Sequence, residues 1–585
     1  MNRFLDQRLV HFPQNLERAS SAASYAAAGQ ALKAANLGLC AWFALCICFL
    51  TGVPNARAAS QAALTGIVSS DAEGPMEGVV VSAKRVGGTI TVAVITDKSG
   101  RYSFPEGRLA PGEYQLTIRA VGYDPATPKL MASVGKGQSK TDIKLQKTHN
   151  LAAQLSNVEW LMSIPGTQDQ KEWLSRSCVF CHNLTHIMES KYDAAGWMTT
   201  FARMANYSGS STFRKPIPSP TANHEMVSFT KGDEELGKYL ASINLSSGPE
   251  FKFELKTLPR PRGEDTKVII TEYDLPRADA EPHDAVSDGT GMVWYCDFSE
   301  GIVGRLDPRT GEVKEWEGPS QKPGFPGGLQ ALELDSQGNS WVTRHEYNGF
   351  TKFDKKTEKF TDYSLPQDQV SPRTRTTFLA LTRDDKVWVK DNVDRKIFLF
   401  DPKTGQFTAH NQYPDEIGKA PLHNIYGIRA DSLGNEYGAD IDGGGIAKID
   451  VQSGKATFYP TPTPNAGPRR MHIDSEDRLW IGEYYVNKIA RFDTKTGQFQ
   501  EWPHPVPFYD PYDVVPAKDG NIWTGGMNSD LIARFNLKTG KIRNYLMPRV
   551  DTNVRRVDVD NSGPRPVFWV GENHQGKIAK VEPLE

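Results

Sequence analysis

The feature that most constrains this chain is a repeat. The segments GMVWYCD, GNSWVTR, DKVWVKD, GNEYGAD, DRLWIGE, GNIWTGG and PVFWVGE follow one another through its second half, each with an aromatic at the same place. Those aromatics are Trp294, Trp341, Trp388, Tyr437, Trp480, Trp523 and Trp569, spaced by 47, 47, 49, 43, 43 and 46 residues. Most copies continue into an [IV]-x-[KR]-[FL]-[DN] strand and a Thr-Gly turn, as in VGRLDPRTGEVKEW and IARFDTKTGQFQEW. One such unit cannot bury its own faces, so neighbours must stack. Copies of about 45 residues predict a seven-bladed β-propeller, here over 265–585. The aromatic row is then packing between blades and not a cofactor box.

The rest of the 585 residues needs other domains. A net charge of -2 gives no footprint for nucleic acid. Residues 60–147 hold short alternating runs, VVVSAKR, TVAVITD, YSF and YQLTIRA, broken by turn signals at Lys98-Ser99-Gly100 and Pro111-Gly112. That pattern predicts a small antiparallel β-sandwich. Upstream, Leu37 to Leu50 reads LGLCAWFALCICFL without a charge, followed by Ala56-Arg57-Ala58. The run is short for a membrane span and suits a signal peptide over 1–59 with cleavage near 58. Export to the periplasm is expected, with an uncleaved membrane anchor as the alternative.

Cleavage would remove Cys40, Cys46 and Cys48 and leave Cys178, Cys181 and Cys296. Three cysteines do not make a disulfide framework, and Cys296, inside a strand, reads as a buried inert thiol. Cys178-Val179-Phe180-Cys181-His182 has no second C-x-x-C pair to complete a structural zinc site. A redox dithiol would want a βαβ setting, whereas Trp173 to Ile187 looks helical. In an exported chain, C-x-x-C-H points to attachment of one haem c, with His182 as iron ligand. The stretch AAGWMTTFARMANY places Trp197, Phe201 and Met204 on one helical face, and Leu236, Tyr239, Leu240 and Ile243 form a stripe in DEELGKYLASI. Residues 148–250 resemble a small class I cytochrome c domain. The resemblance implies Met204 as the sixth ligand through its W-x-x-x-[VF]-x-x-M spacing, with Met226 and His224 as alternatives.

Two further resemblances bear on function. TDKSGRYSF followed by LAPGEYQLTIRAVGY resembles the carboxypeptidase regulatory-like domain, which implies a carbohydrate-binding-like fold and an accessory role. The repeat resembles the virginiamycin B lyase (streptogramin lyase) family, whose blade motif is roughly H-x-I-x-x-x-x-D-G-x-x-W-F-T-E. The resemblance implies that the His and the final acid face the central channel, and that a His base and magnesium-binding Glu residues open a lactone. Carried over, the first blade keeps His283 and Asp297. At the other His positions stand Gln330, Thr377, Tyr426, Arg469, Tyr512 and Arg555 or Arg556. At the acid positions stand Arg344, Asp391, Asp440, Glu483, Gly526 and Glu572. His472 and His574 fall out of register. Arginines replace His in the late blades, which leaves lyase chemistry and magnesium without their motif.

The expected fold class is therefore mostly β and multidomain: a small β-sandwich, an α-helical cytochrome c domain and a seven-bladed β-propeller. The expected function is electron transfer with a periplasmic redox partner, the propeller docking a partner or a substrate. The alternatives are a magnesium-dependent streptogramin-type lyase using His283 and Asp297, and a non-catalytic scaffold. Arg469, Arg470, Arg555 and Arg556, beside Glu483 and Glu572, either bind a small anionic or carbohydrate-like ligand at the channel mouth or pair with one another.

Overall fold

The computed structural model describes residues 62–584, apart from 213, 220–229, 321–326, 346, 372–374, 392, 416 and 418–422. The export segment, Met226 and His224 lie outside the described residues.

The repeat builds a propeller. Six blades are antiparallel sheets of four consecutive strands, the first being Pro282–Ser287, Val293–Asp297, Ile302–Asp307 and Glu312–Glu317. The seventh takes Val554–Asp560, Val567–Glu572 and Lys577–Pro583 from the C-terminus and its outer strand, Val268–Asp274, from the start of the region. Register runs from Val268 opposite Pro583 to Asp274 opposite Lys577, so the two ends of the repeat meet in one sheet. All seven repeat aromatics are buried. They pack between blades, as Trp523 on Phe568 at 5.1 Å and Trp341 on Phe400 at 6.5 Å show. Indole N–H groups of Trp341 and Trp480 donate to Asp335 and Asp474, so the one polar atom of each ring is satisfied.

The other edge of Val268–Asp274 pairs with Ile90–Ile95 of the N-terminal unit, Ile269 opposite Val94 and Tyr273 opposite Ile90. An edge strand that would stand open is thus covered, and the seventh blade continues through Val80–Arg85, Gly112–Arg119 and Leu130–Val134. The N-terminal unit is a β-sandwich, but not wholly antiparallel. Ala62–Ser70 pairs antiparallel with Arg101–Pro105 and parallel with Ile143–Lys147. Alternation in sequence encodes faces, while the direction of a pairing between the first and last strands of a unit is set by topology.

Five α-helices lie between the sandwich and the propeller among the described residues: α1 Asn157–Ser163, α2 Gln168–Ser177, α3 Leu184–Met188, α4 Ala194–Met204 and α5 Lys231–Ile243. Capping boxes start α1, α2 and α5 at Ser156, Thr167 and Thr230. Trp197, Leu240 and Ile243 form the buried stripes expected of α4 and α5. The continuous helix expected from Trp173 to Ile187 is broken at Cys178. Backbone carbonyls that would continue it are claimed by the propeller: Val179 accepts from Asn553 Nδ2 at 3.1 Å, and Phe180 from Arg555 Nη2 at 3.0 Å and His574 Nε2 at 3.2 Å. Chain resumes helix at Leu184, whose N–H donates to Asn157 Oδ1.

Candidate functional site

The inner strand of every blade carries a register shift at the same place: Pro282/Asp284, Leu329/Ala331, Thr376/Leu379, Ile425/Ile428, Pro468/Met471, Pro511/Asp513 and Val554/Val557. The residues skipped include every one at the His position of the repeat. A bulge suspends the alternation of a strand and re-aims its side chains. Two successive residues can then both point inward, and they do so at two depths.

The deeper layer is a closed charge network. Asp284 receives Arg470 at 2.7 and 3.1 Å and Arg556 at 3.0 Å. Glu333 receives Arg556 at 2.9 Å and Arg429 at 2.9 Å, and His472 meets Asp513 at 3.1 Å. Burial opposes the charge on Asp284, but the two guanidinium groups hold its carboxyl well below the usual range. Arg470 and Arg556 are therefore ion-paired structural groups and not members of an open anion site.

The shallower layer is aromatic and polar. Tyr426 and Tyr512 hydroxyls meet across the channel at 2.7 Å, and Tyr512 Oη lies 3.3 Å from His283 Nε2. Nδ1 of His283 lies 2.7 Å from Asp284 Oδ1. Burial pushes the imidazole down to about 3, so it is neutral. A carboxylate can only accept, which assigns the proton to Nδ1 and leaves Nε2 to accept from Tyr512. Arg469 Nη2 donates to Tyr426 Oη at 3.3 Å, completing a run Arg469–Tyr426–Tyr512–His283–Asp284. Arg469 also lies against the rings of Tyr512, Tyr484 and Phe180 at 4.1, 4.2 and 5.1 Å, and Arg555 against Phe298 and Phe180 at 4.3 and 5.4 Å.

The expected pairing of His283 with Asp297 is not found. Asp297 is fully buried, accepts from Arg277 at 2.7 Å, and caps the turn at Ser299 and Glu300. Glu483 and Glu572 also turn away from the arginines. Glu483 faces Glu501 of its own blade, where burial first and that neighbour second push it up to about 8. Glu572 faces Glu272, again raised by burial and then by the like charge. The acid position ends the second strand of a blade, and at Glu483 and Glu572 it faces the outer strand of its own blade, contrary to the orientation that the lyase resemblance implies. Cys296 is fully buried as expected, its Sγ near the Leu329 carbonyl.

The roof of this layer is the C-x-x-C-H turn. Cys178 and Cys181 are half-buried and form no disulfide. Burial pushes their thiols up to about 12 and about 11, unlike the lowered values of redox dithiols. His182 Nδ1 lies 3.0 Å from the Asn183 carbonyl, the bond that typically orients a metal-ligating imidazole and leaves Nε2 for the metal. Two unpaired thiols on one turn and a His so oriented suit thioether attachment and axial ligation. Among the described residues no group of three or more His, Cys, Asp or Glu is placed to hold a bare metal ion. Met204 is half-buried at the end of α4, outside the apolar cluster that includes Cys178 and Phe180. Tyr484, Phe298, Asn553 and His574 were not marked by any motif; Tyr484 and Phe298 merely follow acid positions.

Two family models match the chain: the virginiamycin B lyase family over residues 416–584 and the carboxypeptidase regulatory-like domain over 63–146. The chain thus carries a virginiamycin B lyase-like propeller and a carboxypeptidase regulatory-like domain. No curated protein matches it. Among solved structures, a streptogramin B lyase is 23% identical, with a TM-score of 0.48 over 55% of this chain and 99% of that one. Selenomethionine-substituted virginiamycin B lyase from Staphylococcus aureus is 21% identical, with a TM-score of 0.46 over 54% and 99%. U3-55K is 12% identical, with a TM-score of 0.43 over 54% and 98%.

Proposed function

We propose that the chain is an exported electron-transfer protein in which residues 148–250 carry one haem c on Cys178 and Cys181, with His182 as axial ligand. Such a group, when bound, supplies one-electron chemistry. The observation that carries the reading is the seat of the C-x-x-C-H turn: three side chains of the last blade, Asn553, Arg555 and His574, hold its backbone directly over the aromatic layer of the mouth. His182 is positioned by its Nδ1 bond. Burial keeps its imidazole below the usual value and hence neutral, the state a ligand needs. Phe180 lies against Arg469, and its ring belongs to the apolar cluster that joins the turn to Tyr484 and Tyr512 of the propeller. The propeller then docks a periplasmic redox partner or a small anionic or carbohydrate-like substrate. Met204 is the proposed sixth ligand, with Met226 and His224 the alternatives. A pyridine haemochrome spectrum of the purified periplasmic protein tests the reading. Haem should survive acid-acetone extraction and vanish in the double variant Cys178→Ala, Cys181→Ala. Haem retained by that variant, or none in the native protein, refutes it.

A second reading, lactone-opening lyase, rests on the family match and on a neutral His283 oriented by Asp284. A base must reach the proton it removes, and here Nε2 is taken by Tyr512. Magnesium-dependent opening of a streptogramin B lactone, lost in His283→Ala and kept without haem, would favour this reading over the first.

A further inference from the structure

Of the four arginines in the bulges of the last blades, Arg469, Arg470, Arg555 and Arg556, two lack a charged partner among the described residues. Arg470 and Arg556 sit on carboxylates. Arg469 and Arg555 are 2% and 1% exposed, and among the described residues neither makes a salt bridge. Arg469 donates to Tyr426 Oη and, at 3.8 Å, to Met527 Sδ, with the neutral Tyr484 side chain as a further hydrogen-bonding neighbour. Arg555 donates to Asn553 Oδ1 at 2.9 Å and to the Phe180 carbonyl. Arg469 Nε and Arg555 Nη1 are buried without any acceptor.

Neighbouring acids do not repair this. Glu281 acts on Arg555 through space, but burial first and Asp297 second push its carboxyl up to about 8, so it is neutral near pH 7. His283 is neutral as well. Aromatic faces offset part of the cost of burying Arg469 through cation–π contacts. They cover the guanidinium face, however, and an in-plane N–H needs an in-plane acceptor. A buried charge without a counter-charge is costly, because the attraction that would offset its lost hydration is missing. Tyr426 registers the excess of positive charge: burial is the largest influence and raises its phenol, but the charge of Arg469, the hydrogen bonds with Tyr512 and Arg469 and the charge of Arg555 together turn the net direction downward. Both guanidinium groups lie against the Phe180 ring, at 5.1 and 5.4 Å from its centroid, which brings the two arginines together under the C-x-x-C-H turn.

We infer that Arg469 and Arg555 form a carboxylate-binding pair at the propeller mouth, each offering an unused N–H to an anion that completes the site. The planar fork of arginine matches a carboxylate in geometry as well as charge. This deepens the proposed function and has two possible sources of the same chemistry: the propionates of a haem on the turn above, or a free carboxylic acid that enters the mouth.

The test uses Arg469→Gln, Arg555→Gln and the charge-keeping Arg469→Lys, with sodium benzoate as probe. If the carboxylate belongs to a haem, the midpoint potential without added acid falls in both Gln variants, because a nearby cation favours the ferrous state, and benzoate does not bind. If it is a free acid, benzoate raises the melting temperature of the native protein saturably. Its affinity then drops at least tenfold in every variant, the Lys variant included, and the potential stays put. Absence of haem would defeat the proposed function and still leave the benzoate arm to decide the pair. No benzoate binding together with an unchanged potential, or with no haem, overturns the inference. The Lys variant keeps the test open should a Gln variant fail to fold.

Discussion

Asp284→Asn removes one charge from the closed network of the propeller axis. The carboxylate is fully buried and accepts from His283 Nδ1 at 2.7 Å, Arg470 at 2.7 and 3.1 Å, Arg556 at 3.0 Å and the Leu332 N–H at 3.0 Å. Asparagine keeps the shape and one acceptor oxygen. Arg556 retains Glu333 at 2.9 Å, while Arg470 loses its carboxylate. Breaking a buried ion pair on one side costs about 3–5 kcal/mol, and the retained partners place this change near the lower end, about 3 kcal/mol. Urea unfolding followed by tryptophan fluorescence at pH 7 reads the loss as a lower midpoint at unchanged slope. The pH dependence supplies the sign. The folded carboxyl is held below its unfolded value of about 3.9. Its contribution is present above that pH and is lost as pH falls toward the folded value. The gap between native and variant should therefore narrow by about 1 kcal/mol between pH 6 and pH 3. Asp297→Asn is the comparison: its partner Arg277 is part-exposed and keeps Glu300 and Glu315, while the buried carboxylate loses charge as an acceptor of the Ser299 and Glu300 N–H groups, so about 1–3 kcal/mol is expected, without the network loss at the axis. A loss under 1 kcal/mol for Asp284→Asn, or a gap that does not change with pH, refutes the account of the axis.

Trp341→Ala should destabilise the propeller by about 3–5 kcal/mol in the same assay, since the ring is 1% exposed and packs on Phe350, Tyr363 and, in the next blade, Phe400. Glu483→Gln should stabilise. The folded carboxyl, raised to about 8, keeps a proton that the unfolded chain releases above about 4.5, so native stability falls as pH rises to 8. At pH 8.5 the Gln variant should exceed the native protein by about 1–3 kcal/mol in urea, and the two should converge near pH 4. Met204→Ala should turn a six-coordinate low-spin spectrum into a high-spin or water-ligated one with a lower potential, because a thioether favours ferrous iron; an unchanged spectrum moves the assignment to Met226 or His224.

The sequence by itself determined the parts that repeat or alternate. Spacing of the seven aromatics gave the number of blades, because a unit that cannot bury its faces alone leaves its period in the chain. The alternating runs of 60–147 gave the sandwich, and the stripes in α4 and α5 gave helices. Only tertiary structure decided what the inner residues do. Arg469 and Arg470 are neighbours in sequence and equal in chemistry. A bulge sends one to the carboxylate of Asp284, 186 residues away in the chain, and the other into a box of aromatic rings. His283 was paired in the motif with Asp297, fourteen residues on, and is held instead by Asp284 beside it. The helix through Cys178 ended for a reason that no local propensity carries: carbonyls of Val179 and Phe180 found better donors in Asn553, Arg555 and His574. Periodicity reports which face of an element is buried. Which charge meets which, at what depth and with what left over, depends on strands brought together from opposite ends of the chain.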